Sequence, residues 1–438
     1  MPITRRLTAL LPLVAATAAS AADLAAVQFH GFASQGYMRT HGDKYEVSGL
    51  YGRDTKRGTF EFNEFGLNAI ASPVDRLRVG IQLSSYDLGK YGNNQMQLDW
   101  AFGEYQIPIP WEDLRLSVAA GRFKTGHAFY NDYRDLDMTR TAVFLPSSTY
   151  SASFRDFFLA TNGAQLNGSL DIHAAGSLDF SGFIGTQNLS EKEGPMYDIF
   201  ASGVDRDISL AFLGLPNEAL KLRLNKFDSL TLQRMSGGNL TWNTPVEGLR
   251  LKGSSLYANQ FKARGNLTAS MPFNAALGPA SYTSTQTTVD IDVRHWFDIT
   301  AGAEYQMGDL TLASEFTSQY YYASSTIGSM AFPVVTLPAT TVDFANRTVG
   351  GYLSANYQLS MLPGAWSRLS VYGAGSIQRS TDPMNDTSSY DRTGAVALRY
   401  DVADHFLVKG QFDRIQDTDT DGDATYGNLF SLKTTYDF

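Results

Sequence analysis

The chain has 438 residues, with 44 acidic against 35 basic side chains and a formal charge of −9, a balance that argues against a nucleic-acid-binding surface. There is no cysteine, which excludes a disulfide framework and a thiolate metal site. Aromatic residues make up 13% of the chain, glycines number 39 and prolines 15. That composition suits a sheet that alternates between apolar and polar surroundings, and suits a soluble all-β protein equally well.

At the N-terminus, Arg5 and Arg6 precede an apolar run from Leu7 to Ala19 and the small residues Ser20, Ala21 and Ala22. A basic start, an apolar stretch of about 13 residues and an Ala-x-Ala site make residues 1–22 a secretory signal peptide. The run is too short for a membrane-spanning helix, which needs about 20 apolar residues. Removing Arg5 and Arg6 from the 35 basic residues leaves 33 against 44 acidic ones, a charge of −11 for the mature chain 23–438.

Beyond the leader the dominant signal has period 2. Leu77, Val79, Ile81 and Leu83 fall on one face of a strand, with Arg78, Gln82 and Ser84 on the other. The same alternation runs through 96–103, 297–305 and 310–316, with glycine and alanine frequent on the second face. Strands are predicted at 28–39, 59–71, 76–88, 95–107, 113–123, 156–168, 177–188, 229–243, 249–261, 291–306, 309–322, 345–359, 367–379, 392–401, 405–416 and 426–438. That makes about 16 strands, or 18 if 207–213 and 220–227 add a hairpin; the alternative there is an amphipathic helix inside a long loop over 189–228.

Short connections carry turn residues: Ser72-Pro73-Val74-Asp75-Arg76, Thr244-Pro245-Val246-Glu247-Gly248, Met307-Gly308-Asp309 and Val402-Ala403-Asp404-His405. Long polar connections are expected at 40–58, 124–155, 189–228, 262–290, 323–344 and 380–391. In the last strand Tyr426, Asn428, Phe430, Leu432, Thr434, Tyr436 and Phe438 share one face. Short turns on one side, long loops on the other and an alternating aromatic final strand point to an all-β transmembrane antiparallel β-barrel, with periplasmic turns and external loops. Tyr436 and the terminal Phe438 resemble the signal that hands such barrels to the barrel assembly machinery.

Several local patterns carry a family resemblance: Phe62-Asn63-Glu64-Phe65-Gly66-Leu67-Asn68, Asp75-Arg76-Leu77-Arg78-Val79-Gly80, Leu98-Asp99-Trp100-Ala101, Gly121-Arg122-Phe123-Lys124, Tyr130-Asn131, Arg134-Asp135-Leu136-Asp137, Arg140-Thr141 and Arg155-Asp156-Phe157. With them the chain resembles the outer-membrane porins of Gram-negative bacteria, and among those an uncharacterised porin-like group. The match covers about residues 28–170 and the final strand. The Gly-Arg-x-Lys stretch is also similar to phosphate-selective porins, from which Thr125-Gly126-His127 departs. The resemblance implies a 16-stranded barrel in the outer membrane, in contact with lipid and lipopolysaccharide, and often a homotrimer. It further implies passive diffusion of small hydrophilic solutes, with the third external loop folded inward.

That loop is 124–155. It and its flanks hold Arg122, Lys124, Tyr130, Asp132, Arg134, Asp135, Asp137, Arg140, Arg155 and Asp156, charges of both signs that would create a transverse field in a narrow pore. Strand parity assigns Arg78, Arg115, Arg250, Lys252, Arg399, Lys409 and Lys433 to the lumen against Asp99, Glu304, Glu315 and Asp413, a mildly cationic wall that favours anions weakly. The run Asp417, Asp419, Asp421, Gly422, Asp423 is similar to half a calcium loop, but Asn428 stands where the bidentate acid belongs, so no metal site is assigned. No cofactor is implied. The six histidines are scattered, so an enzyme is not expected; a lipid hydrolase and a closed receptor barrel are the rival readings.

Overall fold

The computed structural model describes residues 27–42, 55–88, 92, 94–151, 154–187, 189–192, 194–210, 215–271, 283–333 and 335–438. The expected signal peptide, 1–22, lies outside them, as do residues 43–54 and 272–282 of two expected loops. In chain order the strands are β1 (Gln28–Gly42), β2 (Phe62–Val74), β3 (Leu77–Leu88), β4 (Gln97–Ile107), β5 (Leu114–Lys124), β6 (Ala160–Asp171), β7 (Ser177–Gln187), β8 (Arg206–Leu210), β9 (Leu215–Asn243), β10 (Leu249–Met271), β11 (Thr283–Met307), β12 (Leu310–Ile327), β13 (Met330–Ala331), β14 (Thr336–Leu337), β15 (Thr340–Gln358), β16 (Leu369–Asp382), β17 (Thr387–Ala403), β18 (Phe406–Thr418) and β19 (Ala424–Asp437). Two helices, α1 (Arg155–Leu159) and α2 (Pro195–Val204), lie between strands.

Sixteen strands form a closed antiparallel ring. Consecutive strands pair, and β1 meets β19 in register from Phe32↔Asp437 to Gly42↔Gly427. Phe438 completes the seam, exchanging two backbone hydrogen bonds of 3.0 Å with Gly31. Among the described residues closure leaves the sixteen-strand ring no open edge, so the amides of its strands pair without water where they cross a membrane. Two-residue turns at Asp75–Arg76, Gly308–Asp309 and Asp404–His405 join strands at the end of the barrel that carries Gln28 and Phe438; Gly308 takes φ +57° there, a conformation that favours glycine.

The outer face carries Leu67, Ile81, Leu83, Ile184, Phe297, Ile299, Phe316, Leu353, Val396, Leu398, Phe412 and Phe430, each 39–65% exposed. Their inward neighbours are polar: Gln82, Asp298, Thr300, Glu315, Lys409, Gln411 and Ser431 are all buried. An apolar belt this large on a closed barrel is a lipid-facing surface, and the protein is a transmembrane β-barrel. Of the final strand, Tyr426, Phe430, Leu432, Tyr436 and Phe438 stand on the outer face, as the alternation predicts.

The structure corrects three expectations. First, the expected loops 262–290, 323–344 and 380–391 are largely strand: β9, β10 and β11 run for 29, 23 and 25 residues, whereas about ten tilted residues cross a membrane. The overhang reverses the usual alternation. Past Gln260 on β10, which takes φ +55°, and the bulge at Arg294 on β11, Phe261, Ala263, Leu267, Val289, Ile291 and Val293 turn inward, while Lys262, Arg264, Asp290 and Asp292 occupy the other face. One inserted residue swaps the faces, so the outward polar residues make a strand resemble a polar loop.

Second, the ring does not grow to 18 strands. Arg206–Leu210 and the start of β9 do form a hairpin, but it stands outside the ring because β7 pairs directly with β9. The helix of this segment is α2, upstream of the stretch expected to be amphipathic, and 156–168 is a strand only from Ala160. Third, a register shift between β3 and β4 pairs Gln82 with Trp100 and Leu83 with Leu98. Trp100 and Phe102 therefore share the inward face with Gln82, and Glu104 follows them inside, opposite Arg78.

A braced loop across the barrel as the candidate functional site

Residues 125–159 connect β5 to β6. The segment combines Phe129, Ala142, Val143, Phe144, Phe157 and Phe158 with charged residues, so an excursion into external water would expose large apolar area. It folds into the barrel, where all of these except the half-buried Phe144 are buried. Gly126 starts the inward turn so close to β9 that a Cβ there would sit 2.0 Å from Asn239 Nδ2. Gly302 on β11 leaves a notch for the loop, since its Cβ would come within 2.8 Å of the Phe129 ring.

Along one flank the loop docks on β10, β11, β12 and β15. The Ala128 amide donates to Ser254 Oγ at 3.1 Å, the Phe129 amide to Glu315 Oε1 at 2.7 Å, and the Tyr130 hydroxyl to Glu304 Oε2 at 2.5 Å. Glu315 also accepts from the hydroxyls of Tyr150 and Tyr352, the latter at 2.7 Å. His127 stacks on Phe158 with ring centroids 4.4 Å apart, and its Nδ1 lies 3.3 Å from Asp298 Oδ1. Burial, with Arg134 and Lys252 nearby, pushes His127 down to about 3.

Along the other flank a buried chain of charges ties the loop to β2, β18 and β19. Asp137 lies 2.5 Å from Lys433 Nζ, 3.4 Å from Lys409 Nζ and 2.9 Å from Arg140 Nη2. Lys433 continues to Glu64 at 2.6 Å, and Glu64 to Arg155 at 2.8 Å. Burial opposes the charge on Asp137, yet Lys433, Lys409 and Arg140 hold its carboxyl far below the usual carboxylate range. Amides of Val143 and Phe144 donate to Gln411 Oε1 at 2.7 and 3.1 Å, and Arg399 Nη1 donates to the Met138 carbonyl at 2.6 Å. Breaking any one link strands a buried charge, which makes the brace stiff.

At the loop's root Lys124 bridges Asp99 at 3.0 Å and Asp135 at 2.7 Å. Burial raises Asp135, but Lys124 and Arg155 bring it down to about 2. Arg134 donates to the Tyr150 carbonyl at 3.1 Å and holds the loop's own shape. Asp132 is left exposed, beside a cavity of about 400 Å³ that Lys124, Arg78, Glu104, Asn167 and Asp179 also line. Arg78, Glu104 and Asn167 border a second cavity of about 630 Å³ as well, which reaches Arg115 and the Asp75–Arg76 turn. Open space with a polar and charged lining thus lies between the loop and the β3–β7 wall.

The structure therefore divides the residues singled out from sequence. Lys124, Tyr130, Arg134, Asp135, Asp137, Arg140 and Arg155 meet within the inward loop. Arg122 does not join them: it shares the outer face of β5 with Val118 and Ala120, opposite Ala101, and its Nε reaches back to the Asp99 carbonyl at 2.7 Å. The side chain of Asp156 lies outside the described part. Among the wall residues, Lys409, Lys433, Arg399, Glu304 and Glu315 hold the loop, Asp99 holds its root, and Asp413 accepts from Gln411 at 2.7 Å. Arg78, Arg115, Arg250 and Lys252 keep contact with open space; Arg250 pairs with Glu304 at 2.7 Å and covers the Phe129 ring.

Sequence reading missed Glu64, which joins Lys433 to Arg155, although its parity opposite Phe65 and Leu67 carries the signal. It also missed Glu104, which only the β3–β4 bulge turns inward.

No family model and no curated protein sequence matches the chain. Among solved structures it is similar to OmpT, an outer membrane protein of Vibrio cholerae, at 12% identity and TM-score 0.47 over 94% of this chain and 97% of that one. The outer membrane channel DcaP of Acinetobacter baumannii aligns at 10% identity and TM-score 0.47 over 94% and 97%. OprB of Pseudomonas putida aligns at 12% identity and TM-score 0.47 over 94% of each chain. At these identities the likeness concerns the barrel fold.

Proposed function

We propose that the protein is a porin: a water-filled outer-membrane channel for passive diffusion of small hydrophilic solutes, narrowed by the braced loop 125–159. The observation that carries this reading is the loop itself. A barrel serving only as a scaffold needs no inward segment anchored by buried ions at Asp137, Lys433, Glu64 and Arg155, whereas a diffusion pore needs a stiff constriction to set its size limit.

The charges that face open space support a weak preference for anions. Lys409, Lys433 and Arg399 are spent on the loop, as are Glu304 and Glu315. The wall then offers Arg78, Arg115, Arg250 and Lys252 against Glu104, Asp179 and the loop's Asp132, and a slightly cationic passage lowers the barrier for anions. Liposome swelling with sugars, amino acids and organic acids tests the diffusion role. Small solutes should equilibrate at rates that fall steeply with size; liposomes that stay osmotically tight with folded protein inserted would refute it. Reversal potentials in a salt gradient test the selectivity, and clear cation preference would refute that part.

A further inference from the structure

Above the loop, on the external side, a cavity of about 560 Å³ opens between the loop, α2 and strands β11, β12 and β15–β17. The alternation of a barrel strand makes an inward wall polar; this one sets a group of aromatic rings among its polar side chains. Trp296 on β11 stacks on Tyr321 of β12 with ring centroids 5.2 Å apart and planes at 20°. Phe154 of the loop meets Trp296 edge-on at 5.2 Å, and Phe344 of β15 meets Tyr321 edge-on at 6.3 Å. Met196 and Phe200 of α2 complete the apolar lining.

Two further observations narrow the occupant. The lining carries the neutral amide side chains Gln319, Asn346 and Gln378, which can pair with one polar group of a guest. The charged residues of the lining are one cation and one anion, Arg206 and Asp391, so net charge is not selected. The volume suits a whole small molecule, since ligand cavities span roughly 300–1,000 Å³.

We infer that this vestibule is a binding site for neutral planar aromatic solutes bearing a hydrogen-bond acceptor, held on the aromatic wall with the acceptor toward these amide side chains. The site deepens the channel reading, because it would concentrate such solutes above the constriction, and to that extent rests on it. The binding itself needs no conduction. Aromatic faces favour an aromatic guest over a saturated one of equal size by a geometric term beyond area burial.

The test compares benzamide with cyclohexanecarboxamide, which has the same amide but no π-face, by saturation-transfer NMR on the full protein in detergent, with empty micelles subtracted. Benzamide should bind about fivefold tighter or more. Trp296→Leu and Gly203→Trp should each weaken it about fivefold; the second fills the cavity from α2, where a Cβ at 203 meets nothing within 4 Å. If Trp296→Leu does not fold, Gly203→Trp decides alone. Equal affinity for the two amides, or full benzamide binding in Gly203→Trp, would overturn the assignment. Conductance read on the same preparation separates the two claims: a conducting barrel without aromatic preference sinks only the site, and a silent barrel that binds benzamide upholds the site while the channel reading fails.

Discussion

Replacing Asp137 by Asn should release the loop without unfolding the barrel. Asp137 is 1% exposed and touches three cations, at 2.5 Å for Lys433, 2.9 Å for Arg140 and 3.4 Å for Lys409. Removing one partner of a buried ion cluster costs about 3–5 kcal/mol, because the remaining charges lose compensation. The lower end applies here, since Lys433 keeps Glu64 at 2.6 Å and Lys409 keeps the Asp137 carbonyl at 2.5 Å. A loss of about 3 kcal/mol shifts the docked–released equilibrium by roughly a hundredfold. The penalty falls on the loop alone, for the sixteen-strand ladder does not pass through Asp137, so opening is local.

In planar bilayers the variant should show a mean single-channel conductance about twofold higher, with larger current noise, as the narrowest section widens. Heat-modifiable mobility on gels should stay that of a folded barrel. Adding Lys409→Met, which removes the cation left with no carboxylate partner, should recover part of the quiet state, since residues of one network couple. Unchanged conductance and noise in a folded Asp137→Asn protein would refute the bracing argument.

Acidification probes the other flank. His127 is held at about 3 when docked, against about 6.5 when released. A released loop takes up a proton at His127 that the docked one refuses, so this group weakens docking as pH falls below roughly 6.5. Asp135, at about 2 when docked, acts in the same direction only below its released value of roughly 3.9. Gating noise should rise as pH falls below about 6.5, and His127→Gln should delay the onset to about pH 4; quieter currents on acidification would mean that His127 pairs with the Asp298 carboxylate instead. The β3–β4 bulge is open to cysteine labelling, which the cysteine-free chain makes clean: Phe102→Cys should react with a membrane-impermeant thiol reagent and Ala101→Cys should not, and the reverse pattern would place Phe102 in lipid. Removing Phe438 deletes both seam bonds to Gly31, about 1 kcal/mol each, so folding yield should drop more than for Phe438→Ala, which keeps them; equal yields would show that the ring, not the seam, carries assembly.

The membrane-crossing part of the fold was legible because lipid and lumen impose opposite demands on successive residues. Leu77–Ser84, Phe297–Tyr305 and the final strand declare their faces directly. Legibility failed wherever one inserted residue shifts the phase. Without the left-handed Gln260 and the bulge at Arg294, Lys262, Arg264, Asp290 and Asp292 look like loop residues, and without the shift beside Asp99, Trp100 and Phe102 look lipid-facing. For the site, charge density marked 124–155, but pairing was invisible: Asp137 and Lys433 are 2.5 Å apart and almost three hundred positions apart in the chain, and only closure of the ring brings them together. Lumen charges read as a selectivity lining proved to be largely the mooring points of the loop.

Single-channel recording of the unmodified protein, inserted in a planar lipid bilayer from detergent, bears most directly on the central claim. A steady, ohmic conductance smaller than that of the Asp137→Asn variant is the expected result. A folded, inserted barrel that passes no current, while the loop-released variant also stays silent, would contradict it.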